Sequence, residues 1–219
     1  MKQSPLRPLH ESQGARLRPL ADEPHLGGDI ITYGDVPAEY TAGASAGALL
    51  LDVTTRGLVT VTGADATDFL HRILANDIKS LEVGSGNVNL LLTGKGKVVH
   101  VFDLASFGEG YLLSTPPGQA SALVQALDMY MFTEDVRLSD ETEAHAPLEL
   151  VGPGAGALLE RVLPALGPVT DEERERQTFQ LVPFHWSDGD EAAMTKVTPL
   201  SVAGRAGWRL ETEPERVED

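Results

Sequence analysis

The stretch LVTVTGADATDFLHRIL, residues 58–74, decides the fold class of this 219-residue chain. Its first five residues are β-branched or leucine, which favours a strand, and Gly63 ends the run. Asp65 can then cap a helix in which apolar residues recur at the spacing of one buried face. The apolar residues of that helix are Ala66, Phe69, Leu70, Ile73 and Leu74. The stretch therefore predicts a strand that leads directly into an amphipathic helix.

The residues that follow extend this pattern into an α+β unit. We predict strands at 87–92, 97–104, 111–115 and 136–139 and a second helix that carries Leu123, Val124, Leu127 and Tyr130 on one face. Two glycines in Thr93-Gly94-Lys95-Gly96 suit the hairpin between the first two strands. Strand and helix alternate less strictly than in a doubly wound fold, and the order favours a ferredoxin-like, split βαβ arrangement.

A second strand-to-helix segment begins after residue 146. Leu148–Val151, the turn Gly152-Pro153-Gly154 and a helix over Ala157–Leu163 repeat the earlier unit and hint at an internal duplication. Further strands are predicted near 179–182, 194–197 and 207–210. We therefore expect two packed ferredoxin-like α+β units, with Phe69, Leu70, Ile73, Leu74, Leu123 and Leu127 buried in the first. The expected division is a flexible arm at 1–28, units at 29–145 and 146–210, and an acidic tail at 211–219.

The composition excludes several classes of function. The 17 basic and 33 acidic side chains give a net charge of −16, which opposes binding to nucleic acid. No cysteine is present, so disulfides, thiolate metal sites and a cysteine nucleophile are excluded. The most apolar stretch, residues 44–53, is too short to span a bilayer, and we expect a cytoplasmic protein without membrane contact.

Local motifs give few candidate site residues. The cluster Gly152–Gly156 lacks the lysine and hydroxyl residue of a phosphate loop, so a plain turn is the better interpretation. No two of the six histidines share a helix at metal-ligand spacing, but His100 lies within a predicted strand and is a candidate. Strand alternation puts His100 with Phe102 and Asp103 with Val101, so His100 and Asp103 are not expected to pair. Asp103 is expected to face water at the strand end.

Several motifs together resemble the superfamily of the glycine-cleavage T-protein. The segments similar to its opening are LDVTTRG (51–57), VTVTGADA (59–66), Phe69-Leu70 and LANDI (74–78). Tyr33-Gly34-Asp35 with Glu39-Tyr40 is similar to the approach to that opening. The hairpin Gly94–Val98 and the stretch Leu127–Val136 resemble the YgfZ branch. The resemblance runs from about Ile31 to Leu210 and lacks the superfamily's C-terminal portion and the YgfZ cysteine segment.

This resemblance implies a tetrahydrofolate-binding cavity with altered contact residues. The acidic pair of the aminomethyltransferases falls on His100 and Val101, and their asparagine falls on Ser114. The glutamate that contacts the pterin falls on Arg205, and a guanidinium has only donors where a carboxylate has only acceptors. The expected ligand-binding residues are Leu90, Leu92, His100, Phe102, Asp103, Ser114, Arg205 and Trp208.

Three functions follow from these changes. The first is a YgfZ-like, folate-binding accessory protein without catalytic residues, which the resemblance links to iron–sulfur protein maintenance. The second is a tetrahydrofolate-dependent aminomethyltransferase in which Asp103 serves as the carboxylate. The third is an interaction protein that keeps the fold without folate. For an anionic ligand, the expected cations are Lys95, Lys97, Arg205 and Arg209.

Overall fold

The computed structural model describes residues 2–18, 30–45, 47–108, 110–175, 177–184, 193–202 and 204–217. The helices in these ranges are α1 (Arg7–Ser12), α2 (Val36–Ala44), α3 (Ala66–Ile73), α4 (Ala120–Asp128), α5 (Ala155–Val162) and α6 (Asp171–Glu175). The strands are β1 (Arg16–Leu17), β2 (Ile30–Thr32), β3 (Leu49–Asp52), β4 (Gly57–Thr62), β5 (Gly86–Leu92), β6 (Val98–Phe107), β7 (Gly110–Thr115), β8 (Arg137–Asp140), β9 (Leu148–Val151), β10 (Gln180–Phe184), β11 (Ala193–Val202) and β12 (Arg205–Glu211). Short 3-10 helices follow β8 and β12 at Thr142–Ala144 and Pro214–Arg216. The fold class is α+β, as predicted.

Unit 1 comprises Met1–Lys2, Thr55–His145 and Val169–Phe179. Its antiparallel sheet has the order β5-β6-β7-β4-β8, and α3 and α4 pack on one face. Alternate strand residues such as Val59, Val61, Leu104 and Leu113 point into this core and are fully buried.

The helical stripes predicted for unit 1 are confirmed except at Tyr130, which follows α4 and keeps 37% of its surface exposed. Phe69, Leu70, Leu74, Leu123 and Leu127 are buried, and Ile73 is half-buried against the same core. The turn before α3 requires glycine, because Gly63 has a φ of 116° and a Cβ there would lie 2.1 Å from the carbonyl oxygen of Asp135. Asp65 precedes α3 as predicted, but its side chain accepts a hydrogen bond from the Asp135 N–H instead of capping the helix.

Unit 2 comprises Gln3–Thr54, Ala146–Pro168 and Gln180–Asp219. Its five-stranded sheet has the order β10-β11-β12-β9-β3 and is also antiparallel. Strand β9 leads into α5 as β4 leads into α3, and β3 takes the edge place that β8 has in unit 1. The two sheets therefore correspond strand for strand, with the fifth strand of unit 2 supplied from the N-terminal side.

Because β3 belongs to the sheet of unit 2, the observed division of the chain differs from the expected one. The first unit was expected to span 29–145, whereas residues up to Thr54 group with unit 2 because Leu49–Asp52 pairs with Leu148–Val151. Part of the expected arm at 1–28 is ordered, since α1 forms and Leu6 packs with Ala146 and Val217. Since Val217 takes part in this contact, part of the expected tail at 211–219 is ordered as well. Residues 19–29 and 218–219 lie outside the described residues.

No helix in the described ranges has the length and apolar character needed to cross a membrane.

Candidate functional site

The most informative surface of unit 1 is the face of its sheet that α3 and α4 do not cover, here called the helix-free face. Strand alternation places Leu90, Leu92, Asp103 and Ser114 on this face. Val101 on the same face keeps 46% of its surface exposed, and Val88, which lies directly opposite Asp103, keeps 47%. The face therefore combines apolar side chains with a small polar group on neighbouring strands.

Arg56 organises this polar group. Its Nη2 donates to Asp103 Oδ2 at 3.0 Å, and its Nε donates to Ser114 Oγ at 3.1 Å. Arg56 precedes β4, which pairs with β7, and Ser114 on β7 lies directly opposite Asp103 on β6. Both charged side chains are largely buried, at 21% and 25% exposure. Asp103 is therefore a partner in an ion pair within the sheet and not a water-facing residue at a strand end.

His100 and Phe102 lie away from this group. Phe102 is 2% exposed and packs in the core of unit 1, on the face opposite Asp103. His100 lies opposite Leu91, whose side chain is also in that core. Burial lowers the pKa of His100, which favours the neutral imidazole. The prediction that His100 and Asp103 lie on different faces agrees with this register.

Arg205 and Trp208 belong to unit 2. Arg205 Nη1 donates to the carbonyl oxygens of Gly43 and Ala44 at 3.2 and 3.1 Å, so the guanidinium stabilises the C-terminal end of α2. The ring of Trp208 packs beside α5, where a Cβ on Gly156 would approach it to 3.2 Å. The proposal that these two residues bind a ligand stays a prediction.

The other cations expected to hold an anionic ligand have separate environments. Lys95 and Lys97 lie exposed in the hairpin between β5 and β6. Arg209 donates to Glu149 Oε1 from Nη2 at 2.7 Å and from Nε at 2.9 Å, and this pair is buried between adjacent strands of unit 2. The positive charge of Arg209 is thus compensated within its own sheet.

Unit 2 contains a second polar cluster that the sequence did not indicate. His10 Nε2 lies 2.9 Å from Asp52 Oδ2, and His10 Nδ1 lies 2.6 Å from the hydroxyl oxygen of Tyr33. Ser4 Oγ also donates to Asp52, and Thr54 donates to its Oδ1 from N at 2.9 Å and from Oγ1 at 2.6 Å. His10 and Asp52 are nearly buried, so the cluster joins α1, the end of β2 and the end of β3.

The electrostatics of this cluster favour a charged Asp52 and a neutral Tyr33. Burial opposes ionisation of Asp52, but the hydrogen bonds from Ser4, Thr54 and His10 outweigh it and lower the pKa of Asp52. Burial raises the pKa of Tyr33, and the nearby carboxylates of Asp52 and Glu39 raise it further. We call these hydrogen bonds around the charged carboxylate of Asp52 the clamp.

Sequence reasoning missed Arg56 and the His10–Asp52 pair for different reasons. Arg56 stands next to the start of a predicted strand, but nothing local shows that its side chain reaches Asp103. His10 lies in a segment without periodicity that was expected to be mobile. Among the described residues, no three His, Cys, Asp or Glu side chains come together to hold a metal ion.

The family of the chain follows from comparison with known proteins. A family described as "GCVT N-terminal domain" matches residues 35–216, which is most of the sequence. The chain belongs to this family.

Curated relatives cover two kinds of enzyme. An aminomethyltransferase of Chlorobium chlorochromatii (strain CaD3) is 31% identical over 175 residues, which are 76% of this chain and 44% of that protein. A sarcosine oxidase subunit alpha of Corynebacterium sp. (strain P-1) is 26% identical over 169 residues, which are 74% of this chain and 16% of that protein. The chain therefore spans less than half the length of these relatives.

Solved structures support the fold. Aminomethyltransferase T of the glycine cleavage system from Bartonella henselae matches with a TM-score of 0.78 at 23% identity, over 99% of this chain and 55% of that one. The heterotetrameric sarcosine oxidase of Corynebacterium sp. U-96 matches with a TM-score of 0.52 at 16% identity, over 83% of this chain and 85% of that one. At these identities the likeness concerns the fold alone.

Proposed function

We propose that this chain is a ligand-binding member of the GCVT family that does not catalyse aminomethyl transfer. One observation carries the proposal: Asp103, the carboxylate on the helix-free face, is already paired with Arg56, whose guanidinium donates to it at 3.0 Å. The resemblance places the acidic pair of the aminomethyltransferases at His100 and Val101, which supply no carboxylate. Since loss of a positioned acid or base typically slows an enzyme by about 10²–10⁴-fold, we expect no measurable transfer.

The helix-free face suits a flat ring that carries both donors and acceptors. Asp103 offers only acceptors, the Arg56 guanidinium offers only donors, and the Ser114 hydroxyl offers both. Leu90 and Val101 add apolar surface beside them on neighbouring strands. A pterin has this mixture of a planar surface and polar edges, so the residues fit the tetrahydrofolate that the family resemblance implies.

Ligand binding is tested with tetrahydrofolate in a thermal shift assay. A ligand that binds only the native state raises the melting temperature by mass action, and we expect such a shift. The Val88→Asp variant should lose the shift, because it places a charge opposite Asp103 on the apolar surface where the ring would lie. Val83→Asp is the matched control, since Val83 is 69% exposed and lies before β5. No shift in the wild type at millimolar ligand would favour the interaction protein without folate.

Aminomethyltransferase activity is the second candidate function, and the relatives at 31% identity favour it. It is tested by supplying an aminomethylated lipoyl carrier and tetrahydrofolate and following product formation. Turnover in the wild type would contradict the proposal. If that turnover were lost in Asp103→Asn but kept in Asp140→Asn, Asp103 would be the carboxylate of an enzyme.

The YgfZ-like role in iron–sulfur protein maintenance stays a proposal of the sequence resemblance. It predicts that deleting the gene lowers the activity of iron–sulfur enzymes in the host cell. Complementation with the wild type but not with Val88→Asp would link that role to the helix-free face.

A further inference from the structure

The loop between α4 and β8 exposes three large apolar side chains. Met129, Tyr130 and Phe132 keep 70%, 37% and 84% of their surface exposed. Met131 between them is half-buried and packs against the core of unit 1. We call Met129, Tyr130 and Phe132 the apolar patch. It lies apart from the helix-free face, since it follows α4, which packs on the opposite face of the sheet.

The backbone of this loop is held by hydrogen bonds. Glu134 Oε2 accepts from the N–H groups of Phe132 and Thr133 at 2.8 and 2.9 Å, and Glu134 Oε1 accepts from Arg72 Nη2 at 2.5 Å. These backbone bonds and the bond from Arg72 lower the pKa of Glu134 to about 2, so the carboxylate stays charged at neutral pH. Because hydrogen bonds already hold the backbone of this loop, the loop loses little conformational entropy when a partner binds to its exposed apolar side chains.

The charges around the patch favour a cationic partner. Asp128 ends α4, whose last turn contains no basic residue, so the negative end of the helix dipole adds to the carboxylate. Arg72 donates to the carbonyl oxygen of Tyr130 and is paired with Glu134, and Arg137 lines a pocket together with Asp135, so each of these cations lies beside a carboxylate. With the net charge of −16, the field next to the patch attracts positive charge.

The same charges disfavour binding of a second copy of this chain, or of another segment of it, to the apolar patch. A second copy carries the same net charge of −16 and is repelled. Residues 19–29 and 185–192 contain three carboxylates each and no lysine or arginine. A partner of opposite charge remains the best match to the patch.

We infer that the apolar patch is a docking site for a segment of another protein in which apolar side chains are flanked by lysine or arginine. Phe132 and Met129 bury the apolar residues of that segment. Its cations lie against Asp128 and the C-terminal carbonyls of α4. Buried aromatic side chains at the centre of an interface commonly carry most of the affinity, and Phe132 has this role here.

A synthetic amphipathic peptide of leucine and lysine is the probe, and its binding to the full chain is followed by fluorescence anisotropy. We expect Phe132→Ser and Met129→Ser each to weaken binding about tenfold, the effect of a single well-buried contact. Asp128→Lys should weaken it to a similar extent, and added salt should weaken wild-type binding because exposed charges are screened. The same peptide with glutamate in place of lysine should not bind.

Val83→Ser and Glu82→Lys are matched controls, because both residues are exposed and lie in a different loop of unit 1. An equal loss in Glu82→Lys would show attraction to the net charge alone, and an equal loss in Val83→Ser would show binding to any exposed apolar side chain; either result would overturn the proposal. So would absence of peptide binding to the wild type at millimolar concentration. Sedimentation of the protein alone tests the remaining occupant: a concentration-dependent dimer that Phe132→Ser abolishes would assign the patch to a second copy.

Discussion

Units 1 and 2 share one strand order but are stabilised by different interactions. Unit 1 is built mainly from one continuous stretch of chain, Thr55–His145, around a large apolar core. Unit 2 takes its fifth strand from Leu49–Asp52, far from the others in sequence, and its core cluster is smaller among the residues that the structure describes. It also contains the charged side chains of Glu149 and Arg209, which are buried as an ion pair.

This difference shows that the same strand order can be completed by an edge strand from either of two places in the sequence. In unit 1, β8 follows α4 and pairs with β4, so short connections bring the last strand into the sheet. In unit 2, the equivalent strand must be brought from the N-terminal side, and hydrogen bonds around Asp52 fix its end. Pairing a strand with one far away in the sequence costs more chain entropy, because a longer loop must be closed. The buried polar contacts around Asp52 offset part of that cost.

The largest expected effect comes from removing a core aromatic in unit 1. Phe69→Ala should lower the free energy of unfolding by about 4 kcal/mol, because it removes buried surface and leaves a cavity. Urea denaturation measures the change, and Val88→Ala on the half-exposed opposite face is the control. A loss below about 1 kcal/mol would mean that the core of unit 1 refills the cavity and is not well packed.

The next effect concerns the ion pair of unit 2. Arg209→Met should cost about 3 kcal/mol, because it leaves the buried carboxylate of Glu149 without its partner. The double variant Glu149→Leu/Arg209→Met should recover most of this loss, since no unpaired charge remains. Thermal denaturation of the single and double variants measures the coupling. If the double variant were as unstable as the single one, the pair would contribute net stability to unit 2.

A smaller effect is expected at the clamp around Asp52. Asp52→Asn should cost about 2 kcal/mol, the scale of hydrogen bonds to a charged group. The pKa of Asp52 is lowered in the folded state, so its contribution is present above the unfolded value of 3.8 and is lost as the pH falls through the folded value.

The acid unfolding profile tests this sign. Wild-type stability should decline more steeply below about pH 4 than that of Asp52→Asn. Asp140→Asn, at an exposed position in unit 1, is the control and should follow the wild type. Parallel profiles for wild type and Asp52→Asn would show that the clamp does not depend on the charge.

The smallest effect is expected at the loop after α4. Glu134→Gln should speed hydrogen exchange at the amides of Phe132 and Thr133 without changing global stability, since Glu134 accepts from both. With its pKa lowered to about 2, the carboxylate should protect these amides down to strongly acidic pH and release them as the pH falls through that value. Unchanged exchange in Glu134→Gln, with Glu82→Gln as control, would show that the loop is held by its backbone alone.

Local pattern predicted most elements because their signals lie within a few residues. The stripes around Phe69 and Leu123 gave the buried faces of α3 and α4, and Leu148–Val151 was predicted with the observed bounds. The edge strand Leu49–Asp52 was missed as part of unit 2, because a strand's partner depends on long-range pairing.

The candidate site was predicted less completely than the fold. Alternation along the strands separated Asp103 from His100, but it did not show that Phe102 belongs to the core or that Arg56 reaches Asp103. Both facts depend on the order of strands in the sheet. Arg205 was assigned by resemblance, whereas its bonds to Gly43 and Ala44 arise from a helix far away in sequence.

The sequence by itself determined the α+β class, the positions of α3, α4, α5 and most strands, and the family resemblance. These features depend on periodicity and short motifs, which are local properties of the chain. Only the tertiary structure decided which strand completes unit 2, that His10 and Asp52 form a clamp, and that Arg56 pairs with Asp103. Such contacts join residues tens of positions apart, and their energies arise only once the sheets have formed and water has been excluded.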